Sequence, residues 1–412
     1  MENVFDVLSE RGFIEQCTHA EEIKALLGRE SVTFYIGFDP TADSLTIGGF
    51  LQIMAMMHMQ RAGHRPIVIL GGGTGMVGDP TDKTDMRRVM EKQEIQRNID
   101  RFREQMSRFL DFSEGKARMV NNADWLMELK YVPFIREYGV HFSVNRMLTA
   151  DCYKTRYERG LTFFEFNYML MQSYDFLELY RRYHCLMQCG GRDQWSNILG
   201  GVELIRRVEG ADAYGMTFAL LQSRDGRKMG KTAAGAVWID PNKTSPYDFY
   251  QYLRNIDDQD VENCLALLTF LPMDEVRRLG ALEDAGINRA KEVLAYEVTK
   301  IVHGEAEAVK AQSAARALFS GVPAPDQEGG SIPTTRIPLA EIADGINVIE
   351  LLKRAGLISS GGEGRRLIEQ GGVRIDDVRV ASWDHTIMPS DYPDKRFIIT
   401  KGKKIFHKIE LL

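Results

Sequence analysis

Cysteine is scarce in this 412-residue sequence: there are five, an odd number, scattered along the chain. So few thiols cannot staple a chain of this length, and they read as the reduced side chains of a cytoplasmic protein. Long apolar runs are missing too. No uninterrupted stretch reaches the ~18 residues that a membrane-spanning helix needs, so no membrane association is expected. Met1 to Phe13 holds Glu2, Asp6 and Glu10 and lacks a cationic apolar leader, so no secretory signal is expected there. An excess of positive charge is also absent: 52 Lys and Arg stand against 58 Asp and Glu, a net charge of −6. That balance argues against a protein coated along its length by nucleic acid. The charge is uneven, however, because residues 347–412 hold 12 basic and 9 acidic side chains. A slightly basic tail on an acidic body fits a local nucleic-acid contact.

What is present is a rhythm. Val32 to Phe38 predicts a strand, followed by the polar turn Asp39-Pro40-Thr41-Ala42-Asp43-Ser44 and a helix from about Ile47 to Ala62. Pro66 to Leu70 predicts a second strand, Arg87 to Phe112 a long helix, and Ala117 to Val120 a third strand. Phe164 to Tyr183 reads as helix, Cys185 to Cys189 as strand, and Asp193 to Val208 as helix. This alternation predicts an α/β fold with a doubly wound, mainly parallel sheet, whose ligands bind at the carboxyl ends of the strands. From Ser245 the pattern turns helical, over Val261–Leu271, Asp274–Leu282 and Asn288–Leu318, with Ser245-Pro246 as a cap. Ser320 to Pro338 is rich in Gly, Pro and Ser and reads as a linker. The expected domains are 1–220, a connecting loop 221–244, a helical unit 245–319, the linker 320–338 and a small α+β unit 339–412.

Two short motifs carry chemistry. In Tyr35-Ile36-Gly37-Phe38-Asp39-Pro40-Thr41 through Thr46-Ile47-Gly48-Gly49, a strand passes through a tight turn into a helix N-terminus. Free amides and the helix dipole suit an anion there, and glycine lets a bulky ligand approach the backbone. Gly226-Arg227-Lys228-Met229-Gly230-Lys231-Thr232 places two lysines three residues apart in a short loop that could clamp a polyphosphate. Further along, Tyr168, Gln172 and Asp175 are spaced by four and three residues, so one helix face presents a phenol, an amide and a carboxylate.

Together, and in this order, the two motifs resemble the HIGH-type and KMSKS-type signatures of class I aminoacyl-tRNA synthetases. Gly78-Asp79-Pro80, Asn167-Tyr168 with Gln172 and Asp175, and Gly191-Arg192-Asp193-Gln194-Trp195 are similar to the bacterial-type tyrosyl-tRNA synthetases. In the tail, Ile349 to Leu357 and Gly364 to Ile375 resemble the S-four-like RNA-binding module. The resemblance implies a Rossmann-like catalytic domain, a helical anticodon-side domain and an RNA-binding tail in a homodimer. It implies ligation of L-tyrosine to its tRNA: ATP and tyrosine give tyrosyl-adenylate and pyrophosphate, and the tyrosyl group is then transferred to the tRNA 3′ end.

By the same resemblance, Tyr35 and Asp175 would hydrogen-bond the substrate phenol, and Asp79, Tyr168 and Gln172 would hold its ammonium group. Gln194 would lie near the reacting carboxylate and Asp193 at the ribose. Gly37, Asp39, Thr41, Gly48 and Gly49 would face the nucleotide. Thr46, Lys228, Lys231 and Thr232 would act on the phosphates, joined by Lys83, Arg87 and a magnesium ion carried with ATP. Arg206, Arg207, Lys353, Arg354, Arg365 and Arg366 would meet tRNA. Thr46 and Gly49 stand where the family's first motif has histidines, and Arg192 where a small or short polar residue is expected. Loss of both histidines keeps a second reading open, a paralogue that binds tyrosine, ATP or RNA without ligating them. No metal site is expected: His184, Cys185 and Cys189 share one predicted strand with no second ligand pair. The methionines of residues 54–59 read as core filler.

Overall fold

A computed structural model describes residues 2–81, 88, 90–232, 235–320, 333–376, 378–402 and 405–412. Lys83 and Arg87, and most of the expected linker, lie outside the described residues. Contacts divide the chain into two compact units: residues 1–244 with 253–302, and residues 245–252 with 303–412.

The first unit is organised by six strands: β1 (Ile14–Cys17), β2 (Thr33–Phe38), β3 (Arg65–Leu70), β4 (Arg118–Asn121), β5 (Cys185–Gly191) and β6 (Tyr214–Phe218). Their order across the sheet is β1-β6-β5-β2-β3-β4. All neighbours are parallel except β1, which runs antiparallel to β6 at the edge. The sequence rhythm gave β2 to β5. It missed β1 and β6, which are short and carry polar residues or glycine (Ile-Glu-Gln-Cys and Tyr-Gly-Met-Thr-Phe). β2 and β3 are apolar along nearly their whole length, as parallel strands covered on both faces must be. Strand order reverses at β2: the chain leaves it for β3 on one side, and β5 later packs on the other. The carboxyl ends of β2 and β5 therefore border the crevice where such sheets bind ligands.

Helix Ile47–Arg61 connects β2 to β3 and is apolar on nearly all sides. Phe50, Leu51, Ile53, Met54, Met56 and Met59 are wholly buried, so three of these methionines are core. The long helix expected before β4 spans only Lys92–Met106. The helix expected from Phe164 is two: Phe163–Phe166, opened by a Thr162–Glu165 capping box, and Tyr168–Tyr183. The helix expected from Asn288 breaks at Gly304, whose φ of +90° ends one helix before Glu305 begins the next.

In the second unit, Ser245 caps helix Pro246–Arg254 by accepting the Asp248 amide at 3.1 Å. The tail forms a five-stranded sheet, with Thr334–Ile337 parallel to Ile405–Leu411 and the other pairs antiparallel. Helices Val348–Arg354 and Gly361–Glu369 accompany it. Leu351, Leu352, Ile368, Val373 and Phe397 fill its core.

Candidate active site

The site begins at the centre of the sheet. Tyr35 on β2 is 2% exposed, its ring lies 5.3 Å from that of Phe176, and its hydroxyl has no hydrogen-bond partner. In register with it on β5 stands Gln188, whose Oε1 is also buried and unpartnered. Leaving a buried polar group unsatisfied costs about 1–3 kcal/mol, so two on adjacent strands mark a place built for a polar ligand. Across from them, Asp175 projects from helix Tyr168–Tyr183 and is equally buried. Its Oδ1 accepts from Trp125 Nε1 at 2.7 Å, and its Oδ2 from Asn122 Nδ2 at 2.9 Å. Asn122 is in turn fixed by the Gly73 amide, which donates to its Oδ1 at 2.8 Å. Burial outweighs the two donors and pushes the Asp175 carboxyl up to about 7. Burial also holds the Tyr35 hydroxyl well above the usual tyrosine range, and the charge on Asp175 adds to that.

One helical turn earlier the same face reaches a second cluster. Gln172 Nε2 donates to Gln194 Oε1 at 3.3 Å, and Gln194 Nε2 donates to Asp79 Oδ2 at 2.6 Å and to Asp193 Oδ2 at 3.1 Å. Asp79 is locked by its own turn, where the Thr81 amide and hydroxyl both donate to its Oδ1. At the start of the helix, the Tyr168 hydroxyl donates to Asp39 Oδ2 at 2.8 Å, and Thr74 donates to Asp39 Oδ1 at 2.8 Å. Burial raises the Tyr168 hydroxyl well above its usual range, and charges on Asp39, Asp79 and Asp175 all add. Three carboxylates therefore gather around one phenol. Gly71 makes this possible, since a Cβ there would meet Asp39 Oδ1 at 2.1 Å.

The third part is the helix N-terminus and the lysine loop. Gly37 is the one exposed position in an otherwise buried β2, and a Cβ there would meet nothing within 4 Å, so it floors open space. Thr46 is the N-cap of helix Ile47–Arg61, and its Oγ1 accepts from the Gly49 amide at 3.4 Å. Thr46 is the acceptor in this bond, so the bond does not use its own hydroxyl proton, while the Gly49 amide is turned to the cap. The loop, some 180 residues later in the chain, lies on this same turn. A Cβ on Gly230 would stand 2.8 Å from Ile47 Cγ2 and 3.5 Å from the Gly48 amide nitrogen, and its φ is +88°. The Ile47 amide donates to Val237 and the Val237 amide to Gly230, which stitches the two motifs together. Lys228 is exposed, and of Lys231 and Thr232 only the backbone is described. Thr41 forms the tight turn after β2, its amide donating to the Asp39 carbonyl at 2.8 Å.

Residues 28–320 match the family described as tRNA synthetases class I (W and Y), and residues 330–409 match the tyrosine–tRNA ligase SYY-like C-terminal domain. The chain belongs to the class I tRNA synthetases. It is 59% identical, over the full length of both chains, to a tyrosine–tRNA ligase of Acetivibrio thermocellus. It is 62% identical to one of Lachnoclostridium phytofermentans, covering 98% of each. A C-terminally truncated mitochondrial tyrosyl-tRNA synthetase of Aspergillus nidulans superposes with a TM-score of 0.70 at 27% identity, over 77% of this chain and 95% of that one.

In this synthetase, several residues that hold the site escaped the sequence reading. Asn122, Trp125, Thr74 and Gln188 carry no motif and are recognisable only by what they touch. Asp260, on a turn far along the chain, is 4% exposed and accepts the Arg224 amide at 2.7 Å, anchoring the start of the lysine loop. Arg192 pairs with Glu15 at 3.6 Å, a surface ion pair. Arg206 and Arg207 both pair with Glu203 on their own helix. Arg354 pairs with Glu341 and Glu350 within the second unit, where Lys353, Arg365 and Arg366 are exposed. His64 accepts the Val32 amide at a turn. Among the described residues, no group of three or more His, Cys, Asp and Glu could hold a metal ion, and no helix is long and apolar enough to cross a membrane.

Proposed function

We propose that this synthetase holds tyrosine with its phenol between Tyr35 and Asp175, its ammonium group among Asp79, Tyr168 and Gln172, and its carboxylate near Gln194, with Asp39 beside Tyr168. The observation that carries the reading is the buried, unpartnered Tyr35 hydroxyl beside the buried Asp175 carboxyl. A phenolic hydroxyl gives Tyr35 the partner it lacks and Asp175 one more, whereas phenylalanine leaves the Tyr35 hydroxyl unsatisfied, and such sites discriminate far better than apolar pockets do. ATP would lie over Gly37, Gly48 and Gly49, with Asp193 at its ribose and Lys228, Lys231, Thr232, Thr41 and Thr46 toward its phosphates.

The chemistry follows from placement. The tyrosine carboxylate attacks the α-phosphorus of ATP, the bond to the bridging oxygen breaks, and pyrophosphate leaves with that electron pair. A ribose hydroxyl of tRNA then attacks the acyl carbon of the adenylate, and AMP leaves. No protein nucleophile is required, because in-line positioning and compensation of phosphate charge lower the barrier. Magnesium enters as part of the MgATP substrate, held by phosphate oxygens and water. The full-length relatives are ligases, and nothing supports the reading of a non-ligating paralogue.

We place the enzyme in the cytoplasm as a homodimer, with the tail and the exposed cations Arg206 and Arg207 meeting tRNA. Supporting the dimer, the adjacent Tyr131 and Val132 are 65% and 72% exposed in the first unit, and Phe163 on another helix is 68% exposed. Neighbouring large apolar side chains left in solvent, as Tyr131 and Val132 are, suit a contact surface. Sedimentation of the full chain is expected to give twice the chain mass. Pyrophosphate exchange tested against all amino acids, followed by charging of purified tRNA, tests the pocket. Exchange strictly dependent on tyrosine is expected, and equal exchange with phenylalanine would overturn it.

A further inference from the structure

In the tail, Trp383 is 39% exposed, and the Arg365 guanidinium carbon lies over its ring at 4.4 Å from the centroid. The loop that carries Trp383 is pinned to the start of helix Val348–Arg354: Asn347 Nδ2 donates to the Trp383 carbonyl at 3.3 Å, and the Val348 amide donates to His385 at 2.9 Å. Arg365 stands on helix Gly361–Glu369. One turn earlier on the same face, a Cβ on Gly361 would lie 3.9 Å from Lys353 Nζ. A large aromatic ring, a stacked guanidinium and an ammonium group thus share one surface built from three segments.

The charges on this surface are not used internally. Arg354 takes Glu341 and Glu350, and Lys401 takes Glu363. Among the described residues, Lys353, Arg365 and Arg366 have no carboxylate partner. A cation that lies on an aromatic ring instead of a carboxylate, beside further unpaired cations, suits a ligand with flat bases and a phosphate backbone. Single-stranded nucleic-acid sites combine these two elements, an aromatic face for a base and cations along the backbone.

We propose that Trp383 and Arg365 form a stacking platform for one unpaired base of a bound RNA, with Lys353 and Arg366 on the flanking phosphates. The proposal rests on the reading of the tail as RNA-binding. Its test uses the full chain and a transcribed tRNA for tyrosine, with affinity measured over a range of salt concentrations. Trp383→Ala is expected to weaken binding about tenfold, the lower part of the range for losing one base–aromatic stack. Trp383→Phe, which keeps a ring, is expected to stay within about twofold of the parent, showing that the loss is not a failure to fold. Arg366→Ala is expected to weaken binding and to reduce its salt dependence by about one phosphate contact. Tyrosine-dependent pyrophosphate exchange, which needs no tRNA, is expected to be unchanged in the two Trp383 variants. Unchanged affinity in Trp383→Ala with a loss in Arg366→Ala would overturn the platform and leave an RNA-binding tail. Unchanged affinity in every variant would overturn both.

Discussion

At the proposed phenol end of the site every polar group stands on or beside a strand or helix and is buried, whereas at the proposed phosphate end the groups stand on a turn, a helix cap and an exposed loop. Asp175, Asn122 and Trp125 hold one another in a dry region, and Tyr35 waits beside them with an unsatisfied hydroxyl. Lys228 is exposed, and the loop is fixed through its backbone: Gly230 sits against Ile47 and Gly48, and Asp260 holds the Arg224 amide. The contrast matches two tasks. Discriminating one hydroxyl needs donors and acceptors that cannot relax toward water, so rigidity and burial serve selectivity. Meeting phosphates whose charge shifts during reaction, and releasing pyrophosphate, needs cations that can move.

The largest effect is expected from Asp175→Asn, which leaves Asn122 and Trp125 aimed at a group with half the acceptor capacity. Tyrosine-dependent pyrophosphate exchange should fall by about two to three decades, with the loss falling largely on tyrosine affinity. The same carboxyl should make the free protein pH-sensitive. Its pKa rises from 3.8 in the unfolded chain to about 7 when folded, so the folded state keeps a proton that the unfolded chain releases. This group's contribution is therefore complete below about pH 4 and is lost as the pH climbs through about 7. Urea unfolding across that window should show a downward slope with rising pH, and Asp175→Asn should flatten it.

Lys228→Ala tests the other end. Adenylate formation in single-turnover experiments should slow by about a hundredfold, while tyrosine affinity stays within about twofold. Because the side chain is exposed, stability should change by no more than about 1 kcal/mol. A matching loss of tyrosine affinity would erase the division between the ends. Tyr35→Phe sharpens it: the preference for tyrosine over phenylalanine should fall about tenfold while folding stability rises by up to about 1 kcal/mol, because an unsatisfied buried hydroxyl is removed. The smallest effect is expected from Thr46→Ala. Loss of the helix cap should cost about 1 kcal/mol of stability, and Thr46→Ser should restore it. Adenylate formation should slow more than tyrosine binding weakens, and equal effects would limit Thr46 to its cap.

Much of this site could be read from the sequence because its residues are encoded by local spacing. Tyr168, Gln172 and Asp175 fall on one face of a helix wherever that helix lies, since 3.6 residues make a turn. The structure shows that this face reaches three different partners: Asp39 at the end of β2, Gln194 after β5, and Asn122 with Trp125 after β4. None of those pairings has a spacing to read. Gln188 became visible only through its register with Tyr35, because β2 and β5 are neighbours in the sheet and far apart in the chain.

By itself, then, the sequence determined the strand and helix rhythm of the first unit apart from its edge strand and β6, the two glycine-containing motifs and the shared helix face of Tyr168, Gln172 and Asp175, all fixed by short-range pattern. The tertiary structure decided what those groups face. Only folding brings Gly230 onto the helix start at Ile47, buries Asp175 far enough to raise its carboxyl to about 7, and leaves the Tyr35 hydroxyl without a partner. Burial and desolvation are properties of the assembled neighbourhood, set by segments that meet across the sheet, and no stretch of chain carries them alone.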